Sequence, residues 1–256
     1  MKPDATLRTL MTASPGGGRF ATTHWSLVLA AARDEDRDGR LAMESLCERY
    51  WYPLYVFVRR RGYPPEDAQD LTQAFFTRLL DKGDVARASP ARGRFRSFLL
   101  ASLQNFLIKE FHRTRALKRG GGVRISSIDM TDAEERYVEE PASDVSPDDL
   151  FHRKWALTLL DRALNQTRFE YERSGKSALF ARLADLMSGA DVNDSHREAA
   201  AALGMTEGAV KVAVHRMRGR FRDVLRSLIA ETVDADELDD EIEFLIRAVG
   251  RRSTAP

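Results

Sequence analysis

The stretch from His196 to His215, HREAAAALGMTEGAVKVAVH, most constrains what this chain can fold into. It reads as a helix, a tight turn and a second helix, the arrangement that lays one helix in a DNA major groove. A small residue at Ala200 lets the helices approach, and Gly204 permits the positive φ that the turn requires. Val210 packs the second helix back on the first, with Leu203, Met205 and Val214 filling the same small core. Thr206 can cap the second helix, and Glu207 suits the positive end of its dipole. An ordinary helical hairpin shares this local pattern. The following run argues for DNA: Lys211, His215, Arg216, Arg218, Arg220, Arg222 and Arg226 are opposed only by Glu207 and Asp223. A merely solvated face mixes signs.

The net charge of +1 conceals strong segregation. Residues 87–124 hold ten basic side chains and one acidic; residues 125–150 hold one basic and nine acidic. A surface fit for a polyanion therefore precedes a segment that repels one. Cys47 is the only cysteine, which excludes an intrachain disulfide and fits a reducing compartment. It lies in a helical apolar pattern, as a small core residue would. No apolar run approaches the ~20 residues needed to cross a membrane, and no secretory signal opens the chain. A cytoplasmic location is expected.

The periodicity predicts an all-α chain with two small helical domains. Residues 1–19, ending in Ser14-Pro15-Gly16-Gly17-Gly18, read as a disordered tail. Residues 20–119 form the first helical domain. Thr22 or Thr23 can cap a helix carrying Trp25, Leu29 and Ala32. A longer helix follows with Ala42, Leu46, Tyr50, Leu54 and Phe57 in phase, and Pro53 should kink or interrupt it. Pro64 and Pro65 start a third, buried through Ala68, Leu71, Phe75 and Leu79. After a loop over 81–94, a fourth points Phe98, Leu99, Ser102, Leu103, Phe106 and Leu107 inward. Gly120-Gly121-Gly122 opens an acidic linker over 120–149, expected to be flexible because it has few apolar anchors. The helix-turn-helix domain spans 150–231. Residues 232–256 form an acidic amphipathic extension, with Leu238, Ile242, Leu245 and Val249 at helical spacing. Its carboxylates could occupy the basic face that DNA would use.

This combination resembles a bacterial RNA polymerase sigma factor of the extracytoplasmic-function group, over about residues 20–118 and 150–230. EDAQDLTQAFFTRLL (Glu66–Leu80) is similar to the family's polymerase-docking helix, and RFRSFLLASLQNFLIKEFHR (Arg94–Arg113) to its promoter-melting helix. The helix-turn-helix and the basic helix after it resemble the module that reads the upstream (−35) element. The resemblance implies binding to core RNA polymerase, at the clamp and flap of its large subunits, and to promoter DNA. It also raises an anti-sigma protein as a partner.

The residue chemistry agrees. On the third helix Asp67, Asp70, Gln73 and Thr77 form a polar face opposite the apolar stripe. The resemblance implies that Asp70 and Gln73 touch the polymerase clamp. Melting a duplex needs a positive channel and surfaces for unstacked bases. Arg92, Arg94, Arg96, Lys109, Arg113 and Arg115 supply the charge, with Asn105 on the same element. The resemblance places capture of a flipped −10 base in the 81–94 loop. Phe98 stands where the family often has tryptophan, yet falls in phase with the core. In the second domain the expected DNA contacts are Thr206, Glu207, Lys211, His215, Arg216, Arg218, Arg220 and Arg222. Lys211 and Arg216 are the expected base readers, the other arginines the phosphate contacts.

Two departures stand out. Lys109 occupies a position where many relatives carry aspartate. Ala209, Val212 and Ala213 fall where relatives show polar residues, so bidentate base readout has few candidates. Other chemistries fit poorly. Asp34, Asp36, Asp38 and Gly39 imitate a calcium loop, but its twelfth position falls on Ser45. His24, His112, His152, His196 and His215 form no i, i+4 pair, so no metal site is expected. No cofactor is expected and no enzymatic activity. Tyr50, Tyr52 and Tyr55 lack the arginine setting of a recombinase nucleophile. The alternative is a polymerase-independent helix-turn-helix regulator with an N-terminal sensing or dimerisation domain.

Overall fold

The computed structural model describes residues 26–31, 37–81, 93–117, 133–134, 137, 145–187 and 192–250. The protein is all-α, and among these residues there is no strand. The helices are α1 (Ser26–Ala31), α2 (Arg37–Arg60), α3 (Pro65–Asp81), α4 (Phe95–Leu117), α5 (Pro147–Arg173), α6 (Ser177–Met187), α7 (Val192–Leu203), α8 (Glu207–Ala230) and α9 (Leu238–Gly250). The expected caps Thr22 and Thr23, the triple glycine and the 82–92 loop lie outside the described residues.

The chain divides into two compact units. The first comprises residues 23–155 together with Ala230–Glu237. Its core is built on α2, which packs against α1 and α3. Of the expected kink or interruption at Pro53, the interruption does not occur: α2 runs through it. Tyr52 through Val58 are all buried, and that packing offsets the roughly 3 kcal/mol that an interior proline costs a helix. Pro65 opens α3, where its missing N–H costs no helical bond, and Glu66 and Asp67 complement the positive helix end. The buried stripe of α3 is Ala68, Thr72, Phe75, Phe76 and Leu79; the expected Leu71 is only half-buried. Thr72 tolerates full burial because its hydroxyl donates to the Ala68 carbonyl at 2.7 Å. Aromatic contacts tie α4 in: Tyr50 meets Phe95 edge-on at 5.5 Å, and Phe75 meets Phe106 at 5.8 Å.

Part of the acidic segment is anchored within this unit. Tyr55 Oη donates to Glu134, and Arg59 donates to the same carboxylate through Nε at 3.0 Å and Nη2 at 2.6 Å. The Arg59 guanidinium also lies 4.6 Å over the Tyr137 ring. Burial pushes the Glu134 carboxyl up, but the bonds from Arg59 and Tyr55 outweigh it and hold the group below the usual range. This acidic stretch had few apolar anchors in the sequence; its anchor is ionic. Buried Arg49 pairs with Glu231 in the same unit.

The second unit comprises Ala156–Ile229 with Leu238–Arg251. The change of unit falls inside α5, between Trp155 and Ala156. Ser146 caps α5, its Oγ accepting from Asp149 N at 3.0 Å and donating to the Asp149 carboxylate at 2.9 Å. The C-terminal extension forms α9. Ile242 and Leu245 are buried, as their spacing predicts, and Ile246, Ala248 and Glu241 join them.

Candidate nucleic-acid and polymerase interfaces

The local chemistry of the α7–turn–α8 motif produces its geometry. The backbone turns at Gly204, φ +63°. Met205 N donates to Ala200 O at 2.9 Å and Gly204 N to Ala201 O at 3.5 Å, closing the end of α7. Thr206 Oγ1 accepts from Ala209 N at 3.2 Å, which caps α8. Ala199 and Ala200 of α7 and Val210, Val214 and Met217 of α8 are buried; Leu203 and Met205 are half-buried.

The outer face of the first turns of α8 is open. Thr206, Glu207, Lys211, His215 and Arg216 are exposed. Lys211, His215 and Arg216 make no ion pair among the described residues. Further along, the cations turn to the protein itself. Arg218 Nη2 donates to the Leu186 carbonyl at 2.7 Å, satisfying the end of α6, and burial pulls its guanidinium below its ordinary value. Arg220 grips Glu170 through Nε at 2.5 Å and Nη2 at 2.6 Å. That hydrogen bonding holds the Glu170 carboxyl below its usual range. Arg222 is half-buried, and Arg226 pairs with Asp239 of α9 at 2.8 Å. Of the arginines expected to face phosphate, Arg218 therefore spends a donor on a carbonyl of α6 and Arg220 two on a carboxylate of α5. From the acidic extension, Asp239 engages the far end of α8, while Lys211, His215 and Arg216 near its start are exposed.

In the first unit, the expected melting cations also separate. Arg96 is 5% exposed; its Nη1 lies 3.2 Å from His152 Nδ1 and its guanidinium 5.2 Å from the Trp155 ring. It is an internal group, not part of an open channel. Arg94 is half-buried, whereas Asn105, Lys109 and Arg113 are exposed, Arg113 pairing with Glu110 at 2.8 Å. Phe98 is half-buried and stacks on Phe95 at 5.9 Å. Arg92 and the side chain of Arg115 lie outside the described residues. Sequence reasoning missed two apolar side chains beside these cations: Ile108 is 57% exposed and Phe111 52%. Ile108 falls out of phase with the buried Leu99, Leu103, Phe106 and Leu107, a signal the sequence carried; Phe111 continues the phase four residues after Leu107, so the period gave no sign of its exposure.

On α3, Asp67, Asp70 and Thr77 are exposed and Gln73 half-buried. Thr77 Oγ1 bonds back to Gln73 O at 3.1 Å, and neither aspartate makes an ion pair among the described residues. The described residues hold no His, Cys, Asp or Glu cluster fit for a metal ion, and no helix long and apolar enough to cross a membrane.

A curated protein of Mycolicibacterium smegmatis, ECF RNA polymerase sigma factor SigE, is 25% identical to this chain over 200 residues. The match covers 78% of this chain and 68% of the relative. What the chain is similar to over that span is thus an extracytoplasmic-function sigma factor. No family model and no solved structure matches this chain.

Proposed function

We propose that this protein is a sigma factor: it binds core RNA polymerase, directs it to promoters and assists melting at initiation. The observation that carries this reading is the exposed cationic face at the start of α8, preceded in the chain by the open polar face of α3 and by the end of α4. On α3, Asp67, Asp70, Gln73 and Thr77 offer polymerase a polar docking face. On α4, Asn105, Lys109 and Arg113 offer charge and hydrogen bonds to a strand, and exposed Phe111 suits an unstacked base. On α8, Lys211 and Arg216 reach base edges while His215 and the capped helix start approach the backbone. The bond-making chemistry belongs to the polymerase, and the sigma factor contributes positioning. Such a protein works in the cytoplasm with the polymerase.

The test is reconstitution. Full-length protein with core polymerase should initiate at a specific promoter, and the protein alone should bind that duplex weakly. Replacing Asp70 and Gln73 together by alanine should weaken core binding with an unchanged thermal melt. Tight, specific operator binding without polymerase would overturn the proposal in favour of a self-sufficient regulator.

A further inference from the structure

The reading face of α8 has an unusual centre. Val212 is 50% exposed, a large apolar side chain in the middle of a cationic surface. A β-branched residue there gains nothing for the helix and leaves apolar area in water. Lys211 and Arg216 flank it, both exposed. One turn earlier stands Gly208, also exposed, although glycine weakens a helix relative to alanine. The protein does not require that glycine: an added Cβ would meet nothing nearer than Thr206 Oγ1, at 4.0 Å. With Ala209 beside it, the start of α8 is a slender surface that another backbone can approach closely.

We infer that Val212 is a specificity residue of the upstream element, seating the C5-methyl group of a thymine in the major groove. This rests on the sigma-factor reading above. A thymine methyl is the one apolar group on a major-groove base edge. An apolar side chain on a groove-facing surface gains favourable base contact through that methyl, because it has no donor or acceptor for the other edges. Lys211 and Arg216 on either side supply hydrogen bonds to guanine or charge to phosphate, which hold Val212 at groove depth. The slender turn at Gly208 and Ala209 lets the helix enter that far.

The experiment uses holoenzyme assembled from the full chain and core polymerase. It is challenged with promoter duplexes randomised through the upstream element, and each thymine of the enriched sequence is then replaced by deoxyuridine, which lacks the methyl. At one position the replacement should weaken binding about three- to tenfold. Val212→Ala should lose a similar factor on thymine DNA and almost none on the deoxyuridine duplex, with an unchanged thermal melt. Val212→Ile should keep the methyl dependence. If an element is enriched but no deoxyuridine replacement matters, or if Val212→Ala loses equally on both duplexes, the Val212 assignment is wrong and promoter reading stands. If holoenzyme forms and enriches no element at all, both fail.

Discussion

The two basic helices α4 and α8 look alike as strings of residues and behave differently as surfaces. In α4 the arginine nearest the start, Arg96, is the buried one, and the exposed cations Lys109 and Arg113 come late. In α8 the order reverses: Lys211, His215 and Arg216 are open near the start, while Arg218, Arg220 and Arg226 are engaged later. The difference follows from where acceptors lie. His152 meets Arg96 within the first unit; Leu186 O, Glu170 and Asp239 meet the α8 arginines within the second. Charge density along a helix therefore locates a candidate interface, and distant acceptors decide which part of it is available.

The sharpest way to break this contrast is Arg96→Ala. Removing a buried guanidinium from Trp155 and His152 should cost the fold roughly 3 kcal/mol in urea unfolding. A variant of normal stability with a smaller salt dependence of promoter binding would return Arg96 to the nucleic-acid surface. Next in size, Lys211→Ala and Arg216→Ala should each lose about 1–3 kcal/mol of binding, more on the preferred sequence than on others. Their stability should stay within about 0.5 kcal/mol of the parent, because both are exposed. Equal losses on every sequence would make them phosphate contacts. Gly208→Ala should show opposite signs, with stability rising by about 0.5–1 kcal/mol and holoenzyme binding to promoter falling. Unchanged promoter binding would show that the slender turn is incidental.

The smallest effect belongs to Arg220→Ala. Its pair with Glu170 is about one-third exposed on each side, so screening limits its worth to about 0.5 kcal/mol. The sign with pH is fixed by Glu170, whose carboxyl is held below its ordinary value of 4.5. A depressed carboxylate stabilises the fold above its unfolded pKa and loses that contribution as pH falls through the folded one. Parent and variant should differ near neutrality and converge as acid protonates the depressed Glu170 carboxyl. Promoter affinity and its salt slope should not change. A slope reduced by roughly one would mean that Arg220 leaves Glu170 for phosphate on binding.

Much of the fold was legible because its signals are local. The 3.6-residue period gave the buried faces of α2 and α4, Thr206 and Gly204 marked the turn before α8, and the spacing of Ile242 and Leu245 marked α9. The misses arose where long-range packing overrode a local rule. Pro53 sits inside α2 because a continuous buried run holds the helix together. Thr72 displaces Leu71 from the core because its hydroxyl finds a carbonyl one turn back. Within the acidic stretch, Glu134 is anchored through Arg59, 75 residues away. Hydropathy cannot register that contact.

For this protein, sequence alone determined that the chain is helical, where α8 starts and which residues make it basic. Capping, glycine conformation and apolar period act over a few residues and need no tertiary partner. Only the tertiary structure decided which cations remain available. A guanidinium is free or engaged according to whether an acceptor lies within about 3 Å, and for Arg218 and Arg220 those acceptors come from 32 and 50 residues away.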